Sequence, residues 1–318
     1  MATERGKIKT SIGGQALIEG VMMRGPRKTV ATVRKPDGSL ESKEFSCEFG
    51  WRKYPVLRIP LIRGVAGFIE SMAIGYKTLM YSAEAVGEDE EAEPQSRFEK
   101  WLDKTFGDKL TKIASAIGGV LGILLAIILF FWLPTVLYNL VPGATQADTV
   151  ASSWRAVAEG VMRIGIFLLY LVGISRMKDI RRVFQYHGAE HKTIFCYENQ
   201  EPLTVENVRK HSRFHPRCGT SFLILMLLIG IVLGFFIQTP QPVLRTLIKL
   251  ALLPLVMGIG YELIKICGRY DNAVTRVIAA PGLWMQRLTT KEPDDDMIEV
   301  AIRSLEQVIP ENGEDHIS

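Results

Sequence analysis

The chain is short of the residues that would staple it or draw it to nucleic acid. Its 318 residues include four cysteines, Cys47, Cys196, Cys218 and Cys267, scattered without paired spacing, which excludes a disulfide framework. Lys and Arg number 38 against 34 Asp and Glu. The resulting net charge of +4 is too small to argue for nucleic acid, and no basic stripe interleaved with aromatics supplies one. The opening stretch MATERGKIKTSIGG has charges and glycines but no apolar h-region, so a cleaved secretion signal is not expected. Histidine is scarce too, five in all, yet four of them fall between residues 187 and 215.

What is abundant is uncharged apolar sequence. Residues 113–133, IASAIGGVLGILLAIILFFWL, carry no charge and are long enough to cross a hydrocarbon core of about 30 Å as a helix. Trp132 and Tyr138 suit the far interface. A second span is expected over 156–174, where Glu159 and Arg163 lie one turn apart and can pair. Residues 219–237 form a third and 246–267 a fourth, the last holding Lys249, Pro254 and Glu262. The alternative for each is a buried core helix. Segments 139–154 and 238–243 contain no Lys or Arg, whereas 97–112, 176–217 and the stretch after the fourth span are rich in them. That alternation is the inside-positive pattern. It predicts an integral protein of the inner membrane with both termini cytoplasmic.

The expected fold class is therefore mainly α, a polytopic helical membrane protein of about four transmembrane helices with a small α+β N-terminal cytoplasmic region. In that region, residues 29–33 and 40–45 read as a β-hairpin around KPDGS. Residues 61–85 read as a helix, buried or lying in the membrane interface, with Arg63, Glu70, Lys77 and Glu84 recurring every seven residues on one face. A fifth span there would have to hide those charges. The run GEDEEAEPQSR is a solvated acidic linker. Boundaries follow at 1–96, 97–267 with a cytoplasmic His/Cys loop at 176–218, and 268–318. In the tail, Asp294 is expected to cap a helix whose Ile298, Ala301, Ile302 and Leu305 form a docking stripe.

The chemistry concentrates in YHGAEHKTIFCYE, residues 186–198, and in HPRCGTS, residues 215–221. If 181–195 is helical, His187 and His191 project from one face and can grip one ion with Glu190 beside them. His-x-x-Glu-His is the inverted zinc-hydrolase helix signature, two imidazoles for the metal and a carboxylate as general base. A third ligand is needed, and His215 and Cys218 are nearest in sequence. Zinc accepts imidazole and thiolate together, and cytoplasmic thiols stay reduced, so His187, His191, His215 and Cys218 make a reasonable set. Four protein ligands would close a structural site and three would leave an open position. Glu190 either accepts a proton as general base or orients a ligand histidine. His211 lies in the same loop. Glu262 is either a further ligand or paired with Lys265 or Arg163. Gly13-Gly14, placed before a helix, would cradle an anion or else allow tight backbone packing.

The strings GGQALIEGVMMRGP, YHGAEHKTIFCYE, HPRCGTSF and PGLWMQRLTTKEPDDDMIEVAI resemble the YqhQ-like family of bacterial membrane proteins, whose function is unknown and which is labelled metal-dependent. The resemblance runs from about Gly13 to Ala301. It implies an inner-membrane protein binding a metal through the residues named above, and supplies no substrate.

Three functions are open from the sequence. One is a zinc hydrolase acting on a peptide or lipid-linked substrate at the cytoplasmic membrane surface. The second is a scaffold with a closed zinc staple. The third, resting on Glu159, Arg163 and Glu262, is a transporter component.

Overall fold

The computed structural model describes residues 8–46, 54–87, 117–141, 149–270 and 272–316. The acidic linker, residues 113–116 and Cys47 lie outside the described residues. The described residues fall into two compact units, one drawn from Met1–Glu88, Tyr170–Ile229 and Leu253–Ser318, the other from Asp89–Leu169 and Gly230–Leu252.

In the first unit, β1 (Gly13–Leu17), β2 (Gly20–Arg24), β3 (Thr29–Arg34) and β4 (Leu40–Phe45) form an antiparallel meander in the order β1-β2-β3-β4. The expected hairpin is β3–β4, with Gly38 at φ 84° in its turn, where the left-handed backbone favours glycine. The sequence expectation of a helix after Gly13-Gly14 is corrected to two further strands. Strands are usually legible from alternation, but Val21, Met22 and Met23 are all buried because both faces of β2 are covered. One face packs α4 (Lys178–Glu198) and α10 (Asp295–Glu306), through Val21, Met23 and Val30 against Tyr186, Ile298 and Leu305. The other packs α1 (Ile62–Gly87), through Met22, Ala31 and Val33 against Ile74, Tyr81 and Ala85.

Helix α10 docks as its stripe predicts, with Ile298, Ala301 and Leu305 fully buried. Asp294 stands at the N-cap position, but its side chain makes no capping hydrogen bond. Ser304 Oγ donates to the Val30 carbonyl oxygen at 3.0 Å. Ser304→Ala removes that buried bond and should cost about 1 kcal/mol, read as a lowered unfolding midpoint with an unchanged slope. Helix α1 buries Glu70, which pairs with Arg24 at 2.7 Å, while Ile69, Met72 and Tyr76 are exposed on another face. Glu262 pairs with Arg63, not with Lys265 or Arg163 as expected, and is in neither grouping of metal-ligating side chains.

Among the described residues, two helices are long and apolar enough to cross a membrane: α2 (Ile117–Asn139, mean hydropathy 2.7) and residues Trp154–Ile174 (1.9) of α3 (Thr149–Ile174). A third crossing exists if α7 (Pro242–Ala251) and α8 (Leu253–Arg269) count as one span bent by 44°. A continuous helix over 246–267 is thus corrected to a broken one. Pro254 has no N–H to return to the carbonyl of Leu250, and its ring crowds that oxygen. The third expected span is a shorter helix, α6 (Gly219–Gly234), whose 16 residues reach only about 24 Å. The first unit also holds α5 (Val205–Lys210) and, after α8, α9 (Ala273–Thr289).

Candidate metal centre

Helix α4 presents His187 and His191 on one face, their ring centroids 4.4 Å apart. The Nδ1 of His187 lies 2.9 Å from the Thr289 carbonyl oxygen, and that of His191 lies 2.6 Å from the Arg213 carbonyl oxygen. A carbonyl only accepts, so both imidazoles donate from Nδ1 and present Nε2 as the atom that would bind a cation. Fixing a ligand's tautomer through its far nitrogen is how metal-binding histidines are oriented. The Nε2 of His187 sits 3.1 Å from Cys218 Sγ, and donor atoms of His187, His191 and Cys218 all lie within 4.8 Å of one another. Two buried polar atoms of α4 have no hydrogen-bond partner among the described residues: His191 Nε2, which belongs to the donor trio, and Glu190 Oε2, which does not. An orphaned imidazole nitrogen where a thiol and two imidazoles meet is what a bound cation would satisfy, and this donor set suits zinc.

The electrostatics agree. Burial would raise the Cys218 thiol, but the neighbouring His187 and His191 rings hold it well below the usual thiol range. Burial opposes a charged His187, yet the Cys218 sulfur and Glu190 bring it to about 9. Burial pushes Glu190 up, opposed by the two imidazoles and by the Gly14 N–H.

Two local features build this arrangement. Gly188 carries no Cβ, and one added there would lie 2.0 Å from the Lys291 carbonyl oxygen. That close approach seats the chain after α9 on α4, with the Lys291 N–H donating to the Phe184 carbonyl oxygen at 2.8 Å and Thr289 brought to His187. Gly14 in β1 is similarly close to Glu190, whose Cδ would lie 2.9 Å from a Cβ at that position. Of the glycine pair, Gly14 therefore serves tight packing against Glu190, whereas Gly13 has open space around it.

His215 stands apart from the trio. Its ring is 5.6 Å from that of His191, its Nδ1 accepts from the Arg217 N–H at 3.3 Å, and its Nε2 is 3.6 Å from Glu198 Oε2. Burial pushes this imidazole down to about 4 in spite of the Glu198 hydrogen bond. Gln286 clasps the same segment, accepting from the His215 N–H at 2.7 Å and donating to the His215 carbonyl oxygen at 2.7 Å. His211 belongs to a second grouping with Cys196 and Glu201. There the Cys196 thiol is pushed up to about 11 by burial and lies within 3.8 Å of the Glu201 and Pro202 carbonyl oxygens, a poorer donor than Cys218. Sequence reasoning missed the carbonyls of Thr289 and Arg213 and the clasp of Gln286. Backbone acceptors leave no residue-type signal, and Gln286 was hidden in an apolar-looking helix.

A fold and site of this kind define a mainly helical protein with a candidate metal centre, and the comparisons place it. A family profile described as a protein of unknown function (DUF1385) matches residues 59–311, and the chain belongs to that family. It is 35% identical to the uncharacterized protein YqhQ of Bacillus subtilis (strain 168) over 308 residues, covering 95% of this chain and 93% of that one. No solved structure matches.

Proposed function

We propose that the chain is an inner-membrane metalloprotein that uses His187, His191 and Cys218 to hold a divalent cation, zinc, and Glu190 as a general base for hydrolysis. The observation that carries this reading is the pair of imidazoles, each pinned through Nδ1 to a backbone carbonyl, with His191 Nε2 and Glu190 Oε2 both buried and unpartnered. A cation bound there would supply Lewis acidity and acidify a water at neutral pH. The chain's own part is to hold three donors in place, exclude bulk water by burial, and take a proton at Glu190 Oε2. Three protein donors leave an open position, as hydrolytic centres do. His215, tied to Glu198 and Arg217, orders the segment leading to Cys218.

The inside-positive loops favour α2, α3, α6 and the α7–α8 pair as membrane crossings, with the metal centre on the cytoplasmic side. Residues 235–237, FFI, extend the apolar stretch of α6 beyond its helical end, which offsets its short reach. A centre at that surface suits a peptide or lipid-linked substrate.

Glu190→Gln tests the assignment of roles. In purified protein reconstituted in nanodiscs, metal content should stay near that of the wild type. Turnover of a peptide and lipid-linked substrate panel should fall about 100-fold or more, the usual contribution of a general base. Loss of metal from the variant would make Glu190 a ligand or a support, and hydrolysis that survives the substitution would remove it from catalysis.

A further inference from the structure

The smaller unit concentrates charge where none is expected. Among its described residues, four cations face one carboxylate: Arg155, Arg163, Arg245 and Lys249 against Glu159, a net charge of +3. All five are buried, and Arg245 is fully so. They come from α3 and α7, at i, i+4 and i+8 on the first and i, i+4 on the second. Glu159 is shared: Arg155 Nε and Arg245 Nε each donate to it at 2.9 Å, and Lys249 Nζ at 2.6 Å. One carboxylate cannot neutralise three donors, and Arg163, a turn further along α3, lies over the Phe131 ring at 5.0 Å. Arg245 Nη2 and Arg163 Nε are buried with no hydrogen-bond partner among the described residues.

The backbone around this cluster is irregular as well. Phe131 sits in a π-helical segment of α2, Ile128–Trp132, a feature found mostly at functional sites. The hydroxyl of Thr135, one turn on, donates to the Phe131 carbonyl oxygen and accepts from Lys249 Nζ at 3.0 Å. Helix α7 stops at Ala251, two turns beyond Arg245, so both cations of α7 lie on a short helix that ends just past them.

Burying uncompensated charge costs several kcal/mol per ion, so an excess of this size needs a counter-charge. We infer that the cluster of Arg155, Arg163, Arg245 and Lys249 around Glu159 is a binding site for a phosphoryl group, as free inorganic phosphate or as a lipid phosphomonoester. The chemistry selects this class. Guanidinium forks match the paired oxygens of phosphate, and an anion bearing close to two charges offsets most of the excess. The unpaired N–H groups of Arg245 and Arg163 are the donors left for it. The site uses no residue of the metal centre, so either stands if the other fails.

The test uses the full chain purified in a maltoside detergent, which carries no phosphate, at constant ionic strength in chloride. Inorganic phosphate and dioctanoyl phosphatidic acid are titrated separately while the unfolding temperature is followed. A saturable rise with at least one probe is expected. A rise with phosphate alone marks a free ion, and a rise with phosphatidic acid alone marks a headgroup. Arg163→Gln, which removes no bond to Glu159, should weaken the effective probe about tenfold. Glu159→Gln removes the competing carboxylate and should tighten binding in whatever fraction folds. No saturable rise with either probe would overturn the inference. So would a rise of equal affinity in Arg163→Gln, which would mean an adventitious ion only.

Discussion

Zinc content should fall from about one equivalent per chain to under about one tenth when Cys218 is replaced by Ser or His191 by Ala. Loss of an outer-shell partner alone costs roughly 10–100-fold in metal affinity, and loss of a direct donor should exceed that. The substitutions act differently. Cys218→Ser keeps the shape but replaces a thiol already held well below its usual range with a hydroxyl that does not ionise near neutral pH. His191→Ala removes the Nε2 lone pair and also the Nδ1 bond to the Arg213 carbonyl. His215→Ala is the discriminating control. Its ring nitrogens are engaged by Arg217 and Glu198, so metal should be retained at wild-type stoichiometry although the protein becomes less stable. Elemental analysis of the four proteins, purified side by side without chelator, decides the matter. Equal metal loss in all three variants would restore His215 to the ligand set and close the coordination shell.

The second large effect should come from a residue with no side chain. Gly188→Ala places a methyl group 2.0 Å from the Lys291 carbonyl oxygen, where backbone meets backbone. A flexible side chain cannot yield here, so either α4 or the 289–293 segment must shift. Overpacking a rigid contact costs about 1–3 kcal/mol, and a backbone clash of this closeness belongs at the upper end. The displaced segment carries the Thr289 carbonyl that fixes His187. Zinc affinity should therefore drop about 10–100-fold even in protein that remains folded. Thermal unfolding and competition with a chromogenic chelator read the two effects separately. Unchanged stability would mean that the close contact between α4 and residue 291 does not exist.

The sequence made some elements plain and concealed others for definable reasons. The hairpin of β3 and β4 was visible because two β-prone runs flank KPDGS, which is turn chemistry. β1 and β2 were not, because helices on both faces make the run from Ala16 to Met23 almost uniformly apolar. The docking stripe of α10 announced itself by helical spacing. The break between α7 and α8 was signalled by Pro254 yet outweighed by the hydropathy of the whole stretch. At the centre, the i, i+4 spacing of His187 and His191 put both rings on one face, as expected of a helix. Which of His215 and Cys218 lies beside the two imidazoles was not readable. It depends on how Gln286 and Glu198 hold the 215–218 turn, contacts that span about 70 residues on one side and about 20 on the other. The distribution of buried charge in the smaller unit was also out of reach. Glu159 and Arg163 looked like a self-contained pair, whereas Glu159 is claimed by Arg155, Arg245 and Lys249.

The most direct measurement is X-ray absorption at the metal edge of the purified, chelator-free protein. The expected shell holds one sulfur, two imidazole nitrogens and at least one oxygen, at about one zinc per chain. A protein that binds no metal, or a shell without sulfur, would contradict the convergence of His187, His191 and Cys218 on one cation. A shell of three imidazoles and one sulfur would leave the cation but remove the open position that hydrolysis needs.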